Sequence, residues 1–259
     1  MAKSRKSTKL EPKVVATQSS PKEVALRERL YELFDECPIP ENELFTNLGL
    51  FLNRQNLSRI LFMHELYQKI VNVHGIVVEF GTRWGQNMAL FSSFRGMYEP
   101  FNYTRKIVGF DTFEGFSAIS AQDRRSEGVV VGGYGVSENY EAYLDAILSY
   151  HEQESPLAHI RKYQLIKGDA AITVPKYLNE NPETIIALAY FDFDLYEPTK
   201  KCLELIKDYI TRGTVLAFDE LNHPAFPGET IAVREVLGLQ KHRIVRSPLS
   251  PTPSYIVIE

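Results

Sequence analysis

Ile76-Val77-Val78-Glu79-Phe80-Gly81-Thr82-Arg83-Trp84-Gly85 decides how the rest of the chain is read. Ile76 to Phe80, apolar but for Glu79, makes a short strand, and Gly81 and Gly85 let the backbone turn tightly before Gln86 to Phe94 continues as a helix. The first amides of such a helix face the turn and favour a polar or anionic ligand. The turn lacks the pyrophosphate pattern G-x-G-x-x-G, because Arg83 stands at the second glycine position, and no G-K-S/T follows. A cofactor without a pyrophosphate is therefore expected.

Outward from this unit the same plan recurs. Ile107 to Phe110, Gln164 to Ile166, Ile185 to Phe193 and Thr214 to Phe218 read as strands, with helical stretches between most of them. After Ser137, a candidate N-cap, Tyr140, Tyr143, Leu144, Ile147 and Leu148 fall on one helical face. Another helix is expected from Pro198, burying Cys202, Leu203, Ile206, Tyr209 and Ile210. Apolar strands alternating with helices predict an α/β fold: a mostly parallel sheet covered on both faces, with ligands beyond the carboxyl ends of the strands. His242 to Arg246, a Pro-rich turn and Tyr255 to Ile258 read as two further strands, the last one antiparallel.

Three regions are expected. Residues 1–20 carry Lys3, Arg5, Lys6, Lys9 and Lys13 among Ser, Thr and Pro and read as a disordered basic tail. Residues 21–74 form an N-terminal helical extension, with Leu26, Leu30 and Leu33 on one stripe and Leu57, Ile60, Leu61, His64 and Tyr67 on another. Residues 75–259 form the ligand-binding domain.

Composition narrows the class. Of 259 residues 44% are hydrophobic and 24% charged, as in an ordinary folded protein, and the net charge of −4 gives no global positive field toward nucleic acid. No apolar block of signal-peptide type follows the basic start, and no run approaches the ~18 apolar residues of a membrane span. Cys37 and Cys202 form no C-x-x-C, which fits a reducing cytoplasm. Neither nucleic acid nor a membrane is the expected partner.

Acids stand at successive strand ends. Glu79 interrupts an apolar strand, so it faces either a bound cation or a structural base. Asp111 lies where nucleoside-binding folds hold a ribose hydroxyl, and Asp169, in Lys167-Gly168-Asp169-Ala170, either meets an adenine amine or caps a helix. Asp192 and Asp194 project to one side, with Phe193 turned away, and Asp219-Glu220 closes the next strand. Converging carboxylates raise one another's pKa unless a cation intervenes, and oxygen-only ligands suit Mg²⁺ or another hard divalent ion. The alternative is that some of them cap helices or pair with Lys and Arg.

The strings E-F-G-T-R-W-G, F-D-T-F-E-G-F, K-G-D, D-F-D-L-Y-E-P-T and F-D-E, in that order from about Gly75 to the C-terminus, resemble the macrocin O-methyltransferase family of class I methyltransferases, which act on sugar hydroxyls. The most specific element is Asp192 to Thr199. The resemblance implies a Rossmann-like sheet of seven strands with the last antiparallel. It implies S-adenosylmethionine among Glu79, Gly81, Thr82, Gly85, Asp111, Thr112, Phe113, Gly168, Asp169, Ala170 and Asp192, and Mg²⁺ on Asp192, Asp219 and Glu220. The sequence departs from the family's usual pattern at Glu220, where Asp is usual, and at Phe193, where a small residue is usual.

Methyl transfer needs an oxygen in line with the sulfonium methyl, and a metal chelating neighbouring hydroxyls would orient and acidify it. Asp192 and His223 are the candidate catalytic groups, His223 as acceptor of the departing proton. Phe116 to Val136, with Gly128, Gly132, Gly133 and Gly135, reads as a lid or a disordered insertion. The expected partner is a small acceptor, a sugar by resemblance, and self-association into a homo-oligomer is also open. The rival readings are a catechol-type O-methyltransferase, a non-catalytic nucleotide-binding module and a structural partner in polysaccharide assembly.

Overall fold

The computed structural model describes residues 19–123 and 129–259. The expected tail therefore lies outside the described residues, apart from Ser19 and Ser20, and Ser20 caps the first helix with a reciprocal bond to Glu23. That helix, α1 (Pro21–Asp35), is followed by α2 (Glu41–Leu44), a 3₁₀ segment (Phe45–Phe51) and α3 (Arg54–Ile70). No residue of α1, α2 or the 3₁₀ segment is buried. The stripe expected on α3 is displaced: Leu57 and Leu61 are exposed, whereas Phe62, Met63, Leu66, Tyr67 and Ile70 are buried. The apolar residues of α3 outnumber one face, and the sheet selects the wider C-terminal side.

The remainder alternates as expected: β1 (Ile76–Phe80), α4 (Gln86–Tyr98), β2 (Ile107–Asp111), α5 (Tyr140–Glu154), β3 (Tyr163–Lys167), α6 (Ala170–Glu180), β4 (Ile186–Phe191), α7 (Tyr196–Leu205), β5 (Ile210–Phe218), α8 (Pro227–Val236), β6 (Ile244–Arg246) and β7 (Ser254–Val257). The sheet has seven strands in the order β3-β2-β1-β4-β5-β7-β6. β1 to β5 pair in parallel, and β7 runs antiparallel to both β5 and β6.

Alternation along the strands builds two cores. Val77, Ile107, Leu188, Tyr190, Val215 and Ala217 meet α3, α4 and α5 through Met63, Tyr67, Met88, Phe91 and Leu148. Val78, Phe80, Val108, Phe110, Ala189, Phe191 and Phe218 meet α6, α7 and α8 through Val174, Leu178, Leu203 and Val233. Each Val, Leu, Ile, Phe or Met among them, fully buried, contributes roughly 1.5–3 kcal/mol. The order reverses between β1 and β4: the chain goes β1 to β2 to β3 in one direction and returns to β4 and β5 in the other, opening a crevice at the carboxyl ends.

Two helix starts differ from expectation. α5 has Asn139, left-handed and without a side-chain capping bond, at its N-cap position instead of Ser137. α7 begins at Tyr196, two residues before Pro198, because Asp123 Oδ1 accepts the Tyr196 amide at 2.8 Å, and it ends at Leu205, short of Tyr209 and Ile210.

Candidate active site

The crevice holds a cavity of about 810 Å³ over the β1, β2, β3, β4 and β5 ends. Its wall includes Gly81, Thr82, Gly85, Asp111, Thr112, Gly168, Asp169, Ala170, Asp192, Asp194, Asp219, Glu220 and His223, so the sequence-predicted residues converge with two exceptions. Phe113 is buried in the core, and Glu79, 1% exposed, lies beneath the wall. The Phe113 backbone is left-handed, and its amide donates to Asp111, which turns the ring away from the cavity.

The glycine turn is tight for a steric reason. A Cβ on Gly81, at φ 91°, would stand 2.1 Å from the Asp192 carbonyl oxygen, and one on Gly85, at φ 73°, would stand 2.3 Å from Leu144 Cδ1. Between them Arg83 takes φ 48° and sends its amide to Asp111 Oδ2 at 2.7 Å. Asp111 Oδ1 receives the Phe113 amide at 2.5 Å. The carboxylate thus clamps two turns together and keeps spare lone pairs toward the cavity, as a ribose ligand requires. Asp169 caps α6 through the Ala171 amide at 2.8 Å, the helix-cap role weighed for it, and also lines the cavity.

Glu79 is held by Asn87, whose Nδ2 donates to Oε1 at 2.7 Å, while Oε2 has no hydrogen-bond partner among the described residues. Burial pushes its pKa up to about 8. Asn87, in the second position of α4, is a wall residue that sequence reasoning missed.

Acids crowd the opposite end. Burial and then the Asp219 charge push Asp192 up to about 6, and the same two causes push Glu220 up to about 9. Asp194, at φ 63°, is also held well above the usual carboxylate range, by burial and then by Asp192 and Asp219. Left-handed backbone at non-glycine residues such as Arg83, Tyr134 and Asp194 stores strain around this cavity, as functional sites often do.

The metal trio is not closed as expected. Among the described residues, no group of three or more His, Cys, Asp or Glu stands ready to hold a metal ion. Instead the Arg59 guanidinium spans Asp192 and Asp219, with Nη2 at 2.5 Å from Asp192 Oδ2 and Nη1 at 3.2 Å from Asp219 Oδ2. Tyr190 adds a hydroxyl donated to Asp219 Oδ1 at 2.5 Å. The donor chemistry still suits a hard cation. The set is all oxygen, the acids raise one another, and Glu220 Oε2 is buried without a hydrogen-bond partner among the described residues. Arg59 had no signal in sequence beyond being a base on a helix.

His223 lines the wall with Nδ1 accepting the Ala225 amide at 3.2 Å. That bond leaves Nε2 carrying the hydrogen in the neutral ring, and burial holds the pKa below the ordinary histidine value. In that tautomer His223 Nε2 is a hydrogen-bond donor, whereas the proton-acceptor role expected from sequence calls for the other tautomer.

The described part of the Phe116 to Val136 segment covers the cavity; Gly128 lies outside the described residues. Val129 packs on Leu195 and Phe226, with Phe116, Ile119 and Tyr134 around them, and Asp123 ties the segment to the start of α7. The Arg83 guanidinium stacks 4.9 Å from the Tyr134 ring centre.

A seven-stranded sheet with one antiparallel strand toward its edge, a glycine turn after β1 and an acid after β2 is the Rossmann-like arrangement expected of a class I S-adenosylmethionine-dependent methyltransferase. The solved structures agree. The chain is similar to CalS11, a calicheamicin methyltransferase, with 45% identity over 93% of this chain and 94% of that one at a TM-score of 0.90. It is likewise similar to the apo form of CalS11, the TDP-rhamnose 3'-O-methyltransferase of calicheamicin biosynthesis, with 43% identity over 93% of this chain and 96% of that one at a TM-score of 0.82. The O-methyltransferase NovP shares the fold at 16% identity, 78% and 79% coverage and a TM-score of 0.57. No family model and no curated protein matches the chain. The protein belongs to the macrocin-type family of sugar O-methyltransferases and is an S-adenosylmethionine-dependent O-methyltransferase. Among the described residues no helix is long and apolar enough to cross a membrane.

Proposed function

We propose that the enzyme methylates a hydroxyl of a sugar, on a nucleotide sugar or a glycosylated natural-product or polysaccharide precursor, with help from a hard divalent cation such as Mg²⁺. The observation that carries the acceptor class is the 45% identity, over nearly the whole chain, with an enzyme of calicheamicin biosynthesis; the apo form of that enzyme is described as acting on TDP-rhamnose. A cytoplasmic setting fits the two free cysteines, Cys37 and Cys202.

S-adenosylmethionine supplies an electrophilic methyl group, and the chain's task is to aim an oxygen at it. The Gly81 to Gly85 turn and Asp111 would hold the nucleoside and methionine parts. Asp192, beside Gly81, would mark the boundary between donor and acceptor. The Asp192 carboxylate would attract the hydroxyl proton as the oxygen becomes electron-poor. His223 Nε2–H would hydrogen-bond a neighbouring sugar oxygen, fixing the rotation of the ring. Phe116, Tyr134 and Phe226 would exclude water over the reacting atoms. Asp192, Asp219 and Glu220 would hold the cation, which supplies Lewis acidity that lowers the acceptor hydroxyl's pKa.

The test is a panel of acceptors with S-adenosylmethionine and Mg²⁺, products read by mass spectrometry: TDP-rhamnose, other nucleotide sugars, free rhamnose and a catechol. Methylation of a nucleotide sugar or glycoside is the expected result. A product from the catechol alone would transfer the enzyme to the aromatic-diol class.

A further inference from the structure

Arg59 belongs to α3, yet its partners are 133 and 160 residues away on the β4 and β5 ends. Its two terminal nitrogens occupy the facing oxygens of Asp192 and Asp219: Oδ2 of the first, and both oxygens of the second at 3.2 and 3.3 Å. The Tyr190 hydroxyl uses Asp219 Oδ1 from the other side. A planar guanidinium suits such a two-carboxylate bridge, and a compact ammonium does not.

The same contact fastens α3. At its C-terminal end the helix is held by Arg105, which donates to the Ile70 carbonyl at 2.9 Å and the Val73 carbonyl at 2.8 Å. Near its N-terminal end Leu57 and Leu61 are exposed, and no residue of α1, α2 or the 3₁₀ segment upstream is buried. Asn56 and Arg59 are the α3 residues in the cavity wall. The first turns of α3 therefore depend on the Arg59 bridge more than on packing.

We propose that Arg59 is a built-in occupant of the position between Asp192 and Asp219, so that a divalent cation and this guanidinium exclude each other and cation binding releases the first turns of α3. The physical reason is direct. A divalent ion ligated by these carboxylates needs the oxygen lone pairs that Arg59 uses, and two cations at that separation repel each other. The N-terminal extension is thereby coupled to the charge state of the site. The inference rests on the metal-assisted reading above, and its test does not depend on turnover.

The experiment titrates the full chain, saturated with S-adenosylhomocysteine, with Mn²⁺ and reads free Mn²⁺ by electron paramagnetic resonance, for wild type, Arg59→Met and Arg59→Lys. Removing the competitor is expected to tighten Mn²⁺ binding by about tenfold or more in Arg59→Met, with Arg59→Lys between it and wild type. Equal affinities, tightest binding by wild type, or no binding by any of the three would overturn the proposal. Hydrogen exchange on wild type covers the case in which Arg59→Met fails to fold: saturating Mn²⁺ should speed exchange over residues 54–60, and unchanged or slower exchange there contradicts the mechanism. The two readings separate by outcome: absence of Mn²⁺ binding in all three proteins strikes the metal-assisted reading together with this proposal, whereas equal binding in all three strikes the competition alone and leaves the metal-assisted reading standing.

Discussion

Replacing Glu79 with Gln should make the cofactor-free protein more stable by several kcal/mol at neutral pH and by only about 1 kcal/mol in mild acid. Glu79 is 1% exposed and keeps one hydrogen bond, from Asn87, which Gln can still accept. Burial holds its pKa at about 8 against an ordinary 4.5, so the folded state keeps the proton where the unfolded chain has lost it. Stability associated with this group is complete below about pH 4.5 and is lost as pH climbs through about 8. From these two values the cost of keeping Glu79 is about 1 kcal/mol at pH 5.5 and about 4 kcal/mol at pH 7.5, a difference of about 2–3 kcal/mol. Urea unfolding of both proteins at the two pH values measures it, since titrating groups not coupled to Glu79 cancel in the comparison. A wild-type to Glu79→Gln gap that is flat between them, or that narrows as pH rises, would refute the burial argument.

Gly81→Ala puts a methyl carbon 2.1 Å from the Asp192 carbonyl at a backbone angle that alanine disfavours, so the fold should lose more than about 2 kcal/mol; thermal unfolding reads this directly. Asp111→Asn leaves one carbonyl oxygen for two amides, and calorimetry should show S-adenosylhomocysteine binding weakened by about tenfold or more. His223→Ala should lower kcat by about 10–100-fold in steady-state kinetics without changing nucleoside affinity, the signature of a group that orients the acceptor alone.

The sheet was legible because its strands are nearly continuous apolar runs: Ile76 to Phe80 and Thr214 to Phe218 appear in the structure almost as read. Helix α6 carries Pro175 inside it, a residue that weakens the local helix signal. The start of α7 was misplaced because the carboxylate that accepts its first amide, Asp123, comes from the Phe116 to Val136 segment 73 residues earlier, beyond any local pattern. The acids of the site were visible through strand-end position and side-chain alternation. What they pair with was not. Arg59 reaches Asp192 and Asp219 only after α3 has docked beside the sheet, and Asn87 reaches Glu79 only because α4 folds back over β1. The tautomer of His223 depends on an amide two residues on, in a turn that no sequence pattern specified. Long-range charge pairing and short-range turn geometry were thus the two kinds of fact that required coordinates.

Transfer of a labelled methyl group from S-adenosylmethionine to TDP-rhamnose by Asp192→Asn, set against wild type at equal nucleoside saturation, bears most directly on the claim that carboxylates beside the glycine turn drive the reaction. The substitution keeps the shape of the side chain and removes its charge. The account predicts that label reaches the sugar oxygen with wild type and falls by about 100-fold or more with the variant, while S-adenosylhomocysteine still binds both. Equal transfer by the two proteins would contradict it.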